Sequence, residues 1–238
     1  EEASLLLKKE GDIGEQAHVL DTLGFLHEEQ GLYYDALKYY KAGLDLRVSQ
    51  SSSIEQAESM SNVAYMHFLT GEFSLADIYW QQANSLFSKS NELSHLLRTW
   101  QNLAQLSLAK GDDLAARRYL QQVSQKIDSA HQQELMINNL LFSYYHFANA
   151  NLQSAMDKID EAKQIAMQTD DSRALTEIHL WQGEVCLRIV DTACLEEQLS
   201  YASEMISSTM LEQHAVLIWL QFALNVIKSD LAPSAPEQ

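Results

Sequence analysis

Ser61-Asn62-Val63-Ala64-Tyr65-Met66-His67-Phe68-Leu69-Thr70-Gly71-Glu72-Phe73-Ser74-Leu75-Ala76 reads as one helix, a glycine stop and the start of a second helix. Forty residues later come Gln101-Asn102-Leu103-Ala104, then Gly111, then Ala116. Forty residues earlier come Leu23-Gly24, then Gly31, then Ala36. Self-similarity at a fixed interval is the signature of a repeat array. The fold class that follows is all-α, built of antiparallel helix pairs.

Working outward, the spacing between equivalent slots is 40, 40, 39 and 40. Repeats are expected over 16–50, 56–92, 96–130, 135–170 and 175–209 of a single array spanning 1–228. Residues 1–14 read as the end of a preceding repeat. A helix over 211–228 returns Trp219, Phe222 and Ala223 to phase and is expected to cap the open end. Residues 229–238, which hold both prolines, read as a polar tail or linker. Within a pair, small residues such as Gly24 and Ala36 let the helices approach, and Leu23, Tyr33 and Tyr40 fill the flanks. In the fourth copy Ala150 replaces the stop glycine, between Asn149 and Asn151. The fifth copy departs most: Val190 stands at the stop and Leu195 at the small slot, so its two helices should pack less regularly.

Hydrophobic residues make up 46% of the 238, enough for a sizeable core. The formal charge is −17, from 33 acidic and 16 basic residues. Binding to nucleic acid needs basic side chains to displace counterions, so direct nucleic-acid contact is not expected. An acidic surface favours basic or polar partners, or serves solubility alone. The longest apolar run, Ala215 to Ile227, is too short for a bilayer. Cys186 and Cys194 fit no zinc or redox spacing, and so few thiols suggest a reducing, cytoplasmic setting.

These copies resemble the tetratricopeptide repeat (TPR) family. Its pattern runs from a bulky residue through Leu-Gly or Leu-Ala, a glycine before Tyr or Phe, then Ala, an aromatic and Ala. Leu23-Gly24…Gly31…Tyr33…Ala36…Tyr40 follows it, as does Val63-Ala64…Gly71…Phe73…Ala76…Trp80…Ala83. The usual repeat is about 34 residues. The longer interval here resembles the subclass found in kinesin light chains and MalT-like bacterial regulators. The resemblance implies a right-handed superhelical solenoid whose first helices line a concave face.

The resemblance also implies that Asn62 and Asn102, one slot in consecutive first helices, face that groove and can grip a peptide backbone. A carboxamide both donates and accepts, so it pairs with a peptide unit whatever the side chain. The alternative is that each bonds a neighbouring helix. Trp181 takes the same slot in the fifth copy. Helical projection adds Tyr65, Arg98, Gln101, Gln105, Tyr144 and Arg188, with the two arginines suited to a ligand carboxylate. Phe25, Phe68 and Phe147 project there too, but fit repeat-to-repeat core better.

His27, His67 and His146 share a slot, yet lie in different repeats without further ligands at metal spacing. They read as core histidines, and neither metal nor cofactor is expected. His179 and Cys186 share a helix face but stand about 10.5 Å apart along the axis, beyond the reach of a nucleophile and its base. Asp112-Asp113 and Asp170-Asp171 read as helix caps. The function expected is non-catalytic binding of a protein or peptide in the groove. The alternative is a regulatory module of a larger bacterial regulator that binds a small ligand or self-associates.

Overall fold

A computed structural model describes residues 13–48, 53–90, 92–128, 130–206 and 211–231. All elements in these residues are helices. They are α1 (Ile13–Glu28), α2 (Tyr33–Val48), α3 (Ser53–Leu69), α4 (Phe73–Ser90), α5 (Leu93–Ala109) and α6 (Asp113–Ser124). There follow α7 (Gln132–Ala148), α8 (Leu152–Gln168), α9 (Ser172–Arg188), α10 (Thr192–Met205) and α11 (Leu211–Leu231). The first ten pack as five successive pairs, α1 with α2 through α9 with α10. This is the all-α repeat fold that the spacing predicts. The expected half repeat at the start lies almost wholly outside the described residues. So does the expected tail, apart from the three residues by which α11 enters it.

Two compact units divide the chain, Glu1–Ile127 and Asp128–Gln238. In the first, Ala36, Tyr40 and Leu44 pack with Val63 and Met66. Ala64, Ala76 and Trp80 pack with Leu103 and Leu106. In the second, Met136, Ile159, Ile178 and Val185 form one core, and Cys186, Leu195, Leu199 and Leu220 another. Each Val, Leu, Ile or Met among them, where fully buried, contributes about 1.5–3 kcal/mol. No pair covers all its own apolar surface, so each contact with a neighbouring helix adds to the stability.

The interval of the repeat is set at the turns. Gly31, Gly71, Gly111, Ala150 and Val190 all hold positive φ, at 71°, 78°, 72°, 56° and 59°. Each turn closes with the same long-range bond. The backbone N–H groups of Leu32, Glu72, Asp112, Asn151 and Asp191 donate to the carbonyls of His27, His67, Ser107, His146 and Cys186. That is the Schellman closure of a helix end. Ala150 and Val190 thus make the glycine turn without glycine.

The fifth pair packs by a different allocation of small and large side chains from the first. A β-carbon added at Gly24 would meet the Tyr40 ring at 2.8 Å, so only glycine admits that ring. In the fifth pair the allocation is reversed. Gly183 leaves room for Leu195, which is fully buried, and for Leu220 of α11. Asp112 and Asp171 accept from the backbone N–H of Ala115 and Ala174, the expected N-caps. Asp170 is instead a left-handed turn residue, with φ 54°.

Candidate functional site

In the first unit, α3 presents Asn62 and Tyr65 on one face, with Glu58 one turn before. On α5, Arg98, Asn102 and Gln105 share a face with His95, at spacings of three and four residues. The two faces are neighbours. His95 Nε2 lies 2.9 Å from a Glu58 carboxylate oxygen and so ties α5 to α3. The His95 ring also stacks on Phe87 at 4.9 Å and has Glu92 at 3.8 Å. Neither Glu58 nor His95 was singled out in the sequence. Both lie one helical step from Asn62 or Arg98, so projecting the slot one turn further back would have found them.

Asn62 and Asn102 are both half-buried. Neither carboxamide takes part in any side-chain hydrogen bond among the described residues, so the alternative in which each bonds a neighbouring helix is not what is seen. Arg98 is exposed and pairs with no carboxylate among the described residues. Gln105 is half-buried beside them. Tyr65 stacks on Phe68 at 6.4 Å. Gln101 departs from expectation: it is 2% exposed, packed inside rather than offered to a ligand.

In the second unit the picture differs. Trp181 is buried, its indole N–H donates to the Ser143 hydroxyl, and its ring packs on Tyr144 at 4.2 Å and Phe147 at 4.9 Å. It is a core residue, and its expected place on a ligand face is corrected. Its slot turns inward because Ser143, the small residue of α7, leaves a polar niche for the indole. Tyr144 is partly buried, and burial, with the Glu177 and Glu184 charges, pushes its hydroxyl far above the usual phenol range. Burial also raises the Glu184 carboxyl. Arg188, the last residue of α9, is exposed. Phe68 and Phe147 belong to cores, whereas Phe25 is exposed.

Of the three histidines that share a slot, His67 is buried, and His27 and His146 are half-buried. His67 is buried, its Nδ1 is 2.6 Å from Glu72, and its ring stacks on Tyr79. His27 stacks on Tyr39 and His146 on Phe142. His179 Nδ1 meets the Gln198 side-chain oxygen at 2.7 Å, and burial holds this imidazole below its ordinary value. Cys186 and Cys194, which the sequence left without a spacing, are joined as a disulfide with their Cα atoms 5.8 Å apart. The turn at Val190 folds the chain back and brings together residues eight apart. Among the described residues no cluster of His, Cys, Asp or Glu could hold a metal ion, and no helix is long and apolar enough to cross a membrane.

No family model and no curated protein sequence matches the chain. Solved structures do. A Rap protein complexed with competence and sporulation factor superposes with TM-score 0.74 at 12% identity, over 90% of this chain and 67% of that one. The fold is that of a TPR-like helical repeat. The TPR-like likeness extends to the Rap conjugation gene regulator of plasmid pLS20 in complex with the Phr* peptide. There the TM-score is 0.63 at 14% identity, over 99% and 70% of the two chains. A kinesin-light-chain-type protein of nearly identical TPR-like repeats from Podosopora anserina gives 0.55 at 14%, over 91% and 98%. At such identities the likeness concerns the fold alone.

Proposed function

We propose that this TPR-like protein is a non-catalytic binding module. Its ligand is a peptide or an extended protein segment, held on the face made by Asn62, Tyr65, Arg98, Asn102 and Gln105. The observation that carries this reading is the pair of carboxamides, in register on α3 and α5, whose hydrogen-bonding groups are unspent inside the protein. An extended chain rises about 3.3 Å per residue and offers a donor and an acceptor at each peptide unit. Two carboxamides can hold two such units, while Arg98 takes a carboxylate in paired hydrogen bonds. The chemically active side chains are otherwise occupied: His67 with Glu72, His179 with Gln198, and Cys186 with Cys194. A solved TPR-like neighbour in complex with a peptide lends the reading further support. Tyr144 and Arg188 in the second unit remain secondary candidates.

The test uses peptides selected on the protein from a random display library. The Asn62→Ala, Asn102→Ala double variant should keep its helical signal. Two lost hydrogen bonds should weaken the selected peptides roughly tenfold or more. Unchanged affinity in a folded double variant removes the site.

The second reading is a regulatory module, in which a ligand on this face alters a partner's activity. It is favoured by the two solved Rap neighbours, one of them described as a gene regulator. Amide exchange with and without a selected peptide separates the readings. Protection confined to α3 and α5 fits a static binder. Protection spreading through the helices beyond fits a regulator.

A further inference from the structure

The face formed by Asn62, Tyr65, Arg98, Asn102 and Gln105 carries a single formal charge, that of Arg98, in a chain of net charge −17. Acidic residues outnumber basic ones 33 to 16, so an exposed guanidinium has many carboxylates to find. Yet Arg98 pairs with none among the described residues. Two features account for this. First, α5 contains no Asp or Glu. Arg98 therefore has no partner on its own helix at three or four residues, the spacing at which helical ion pairs form. Second, the neighbouring α3 has two acids, Glu55 and Glu58, and both are drawn elsewhere. Glu55 lies 3.9 Å from the Arg47 guanidinium, and Glu58 lies 2.9 Å from His95 Nε2.

Glu58 is the carboxylate placed to reach Arg98. It stands forty residues earlier in the same slot and touches the residue one turn before Arg98. His95 and Arg98, three apart, share a helix face, with Cβ atoms about 5–6 Å from each other. A Glu58 carboxylate released from the imidazole is thus one helical turn from the guanidinium. The imidazole is well held. Its ring stacks on Phe87, itself 2% exposed, at 4.9 Å with the planes 21° apart. Its Nδ1 faces Glu92 at 3.8 Å, beyond a hydrogen bond. Nε2 is therefore kept toward α3, and it donates to Glu58 both as imidazolium and as the Nε2–H tautomer.

We infer that His95 is a positioning residue of the proposed face. By holding Glu58 it leaves Arg98 unpaired, and so makes the face select ligand segments that carry a carboxylate. The inference rests on the peptide-binding reading given above and names the selectivity of that face. His95 touches no ligand and acts through Glu58. Without it, Glu58 competes with the ligand for Arg98, and the preference for a carboxylate falls while the carboxamide contacts remain. Exposed ion pairs are weak, so the competition changes affinity roughly threefold to fivefold.

The probes are a peptide selected on the protein from a random display library and the same peptide with its carboxylates replaced, one at a time, by carboxamides. By titration calorimetry the wild type should bind the parent about tenfold more tightly than the carboxamide form that removes the group held by Arg98. Arg98→Ala should abolish that difference. His95→Phe keeps a ring on Phe87 but has no donor. It should keep its helical signal and weaken the parent about threefold to fivefold, with the carboxamide form unchanged. Adding Glu58→Gln should restore the parent's affinity, which a merely structural role for His95 would not allow. A wild type indifferent to every carboxylate overturns the inference. So does a folded His95→Phe that binds the parent as tightly as the wild type, or one whose loss Glu58→Gln does not restore. The carboxamide form separates this failure from that of the face. Its affinity should fall in the Asn62→Ala, Asn102→Ala variant. If it falls there and His95→Phe changes nothing, the inference alone is lost. If it does not fall, the face and the inference are lost together.

Discussion

Val190 holds a left-handed backbone on a β-branched side chain, at 61% exposure, where the first three turns use glycine. Such a conformation costs an L-residue about 1–2 kcal/mol and glycine almost nothing. Val190→Gly should therefore stabilise the protein by about 1 kcal/mol in urea unfolding, against the usual trend for glycine. Gly24→Ala should do the reverse. Its β-carbon would run into the Tyr40 ring, and overpacking of this kind costs about 1–3 kcal/mol. His179 makes the pH argument. Burial holds its folded pKa below the ordinary 6.5, so the fold disfavours the imidazolium. Its contribution is whole above the unfolded pKa and is lost as pH falls through and below it. Between about pH 7.5 and about pH 5.5, the wild type should lose more stability than His179→Gln, as read from urea midpoints. At this scale the turn glycines were legible in the sequence. Ala150 and Val190 were legible only through the register of their neighbours, because nothing local to either residue signals a left-handed turn.

One buried charge ties three helices together. Arg47 on α2 is 9% exposed, pairs with Asp21 of α1 at 2.5 Å, and donates to Ser59 of α3 at 2.5 Å. Asp21 is itself half-buried, and burial raises its carboxyl even against the pull of Arg47. Removing one partner leaves a buried charge uncompensated, which costs about 3–5 kcal/mol. Asp21→Ala should lie near the lower end, because Glu55 stands 3.9 Å from Arg47 and remains. The Asp21→Leu, Arg47→Met double variant should cost far less than either change alone, as measured by a double-mutant cycle in urea. Nothing in the sequence forecast this network, since its members lie far apart in the chain and in different slots. The helices themselves were legible from period, turn and cap. The fate of a given face was less so. Trp181 and Asn102 share a slot, yet one is closed over by Ser143, Tyr144 and Phe147 and the other remains open.

At the scale of the chain, the charge of −17 works against compactness. Carboxylates repel over roughly 10 Å at 0.1 M salt. Raising sodium chloride from about 10 mM to about 150 mM should therefore raise the melting temperature, as screening relieves self-repulsion faster than it weakens the exposed ion pairs. A fall would show that attractive pairs such as Lys158–Glu161 and Lys110–Asp77 dominate. The repeat architecture was the most legible feature of all, because five imperfect copies outvote any one departure. The face proposed to bind was half legible. Period put Asn62 and Asn102 in one slot of α3 and α5, where both are half-buried, but could not say that Gln101 is packed inside, since burial depends on the neighbouring helix pair.

The bond between Cys186 and Cys194 carries a practical consequence. It closes a loop of nine residues around the strained Val190 turn, and by the chain-entropy argument such a closure is worth about 2.5 kcal/mol. A preparation kept in dithiothreitol and one kept in air are then two proteins, two daltons apart in mass. They would differ in how readily the α9–α10 hairpin opens to a protease, and any melting curve reports on whichever of them the buffer has selected.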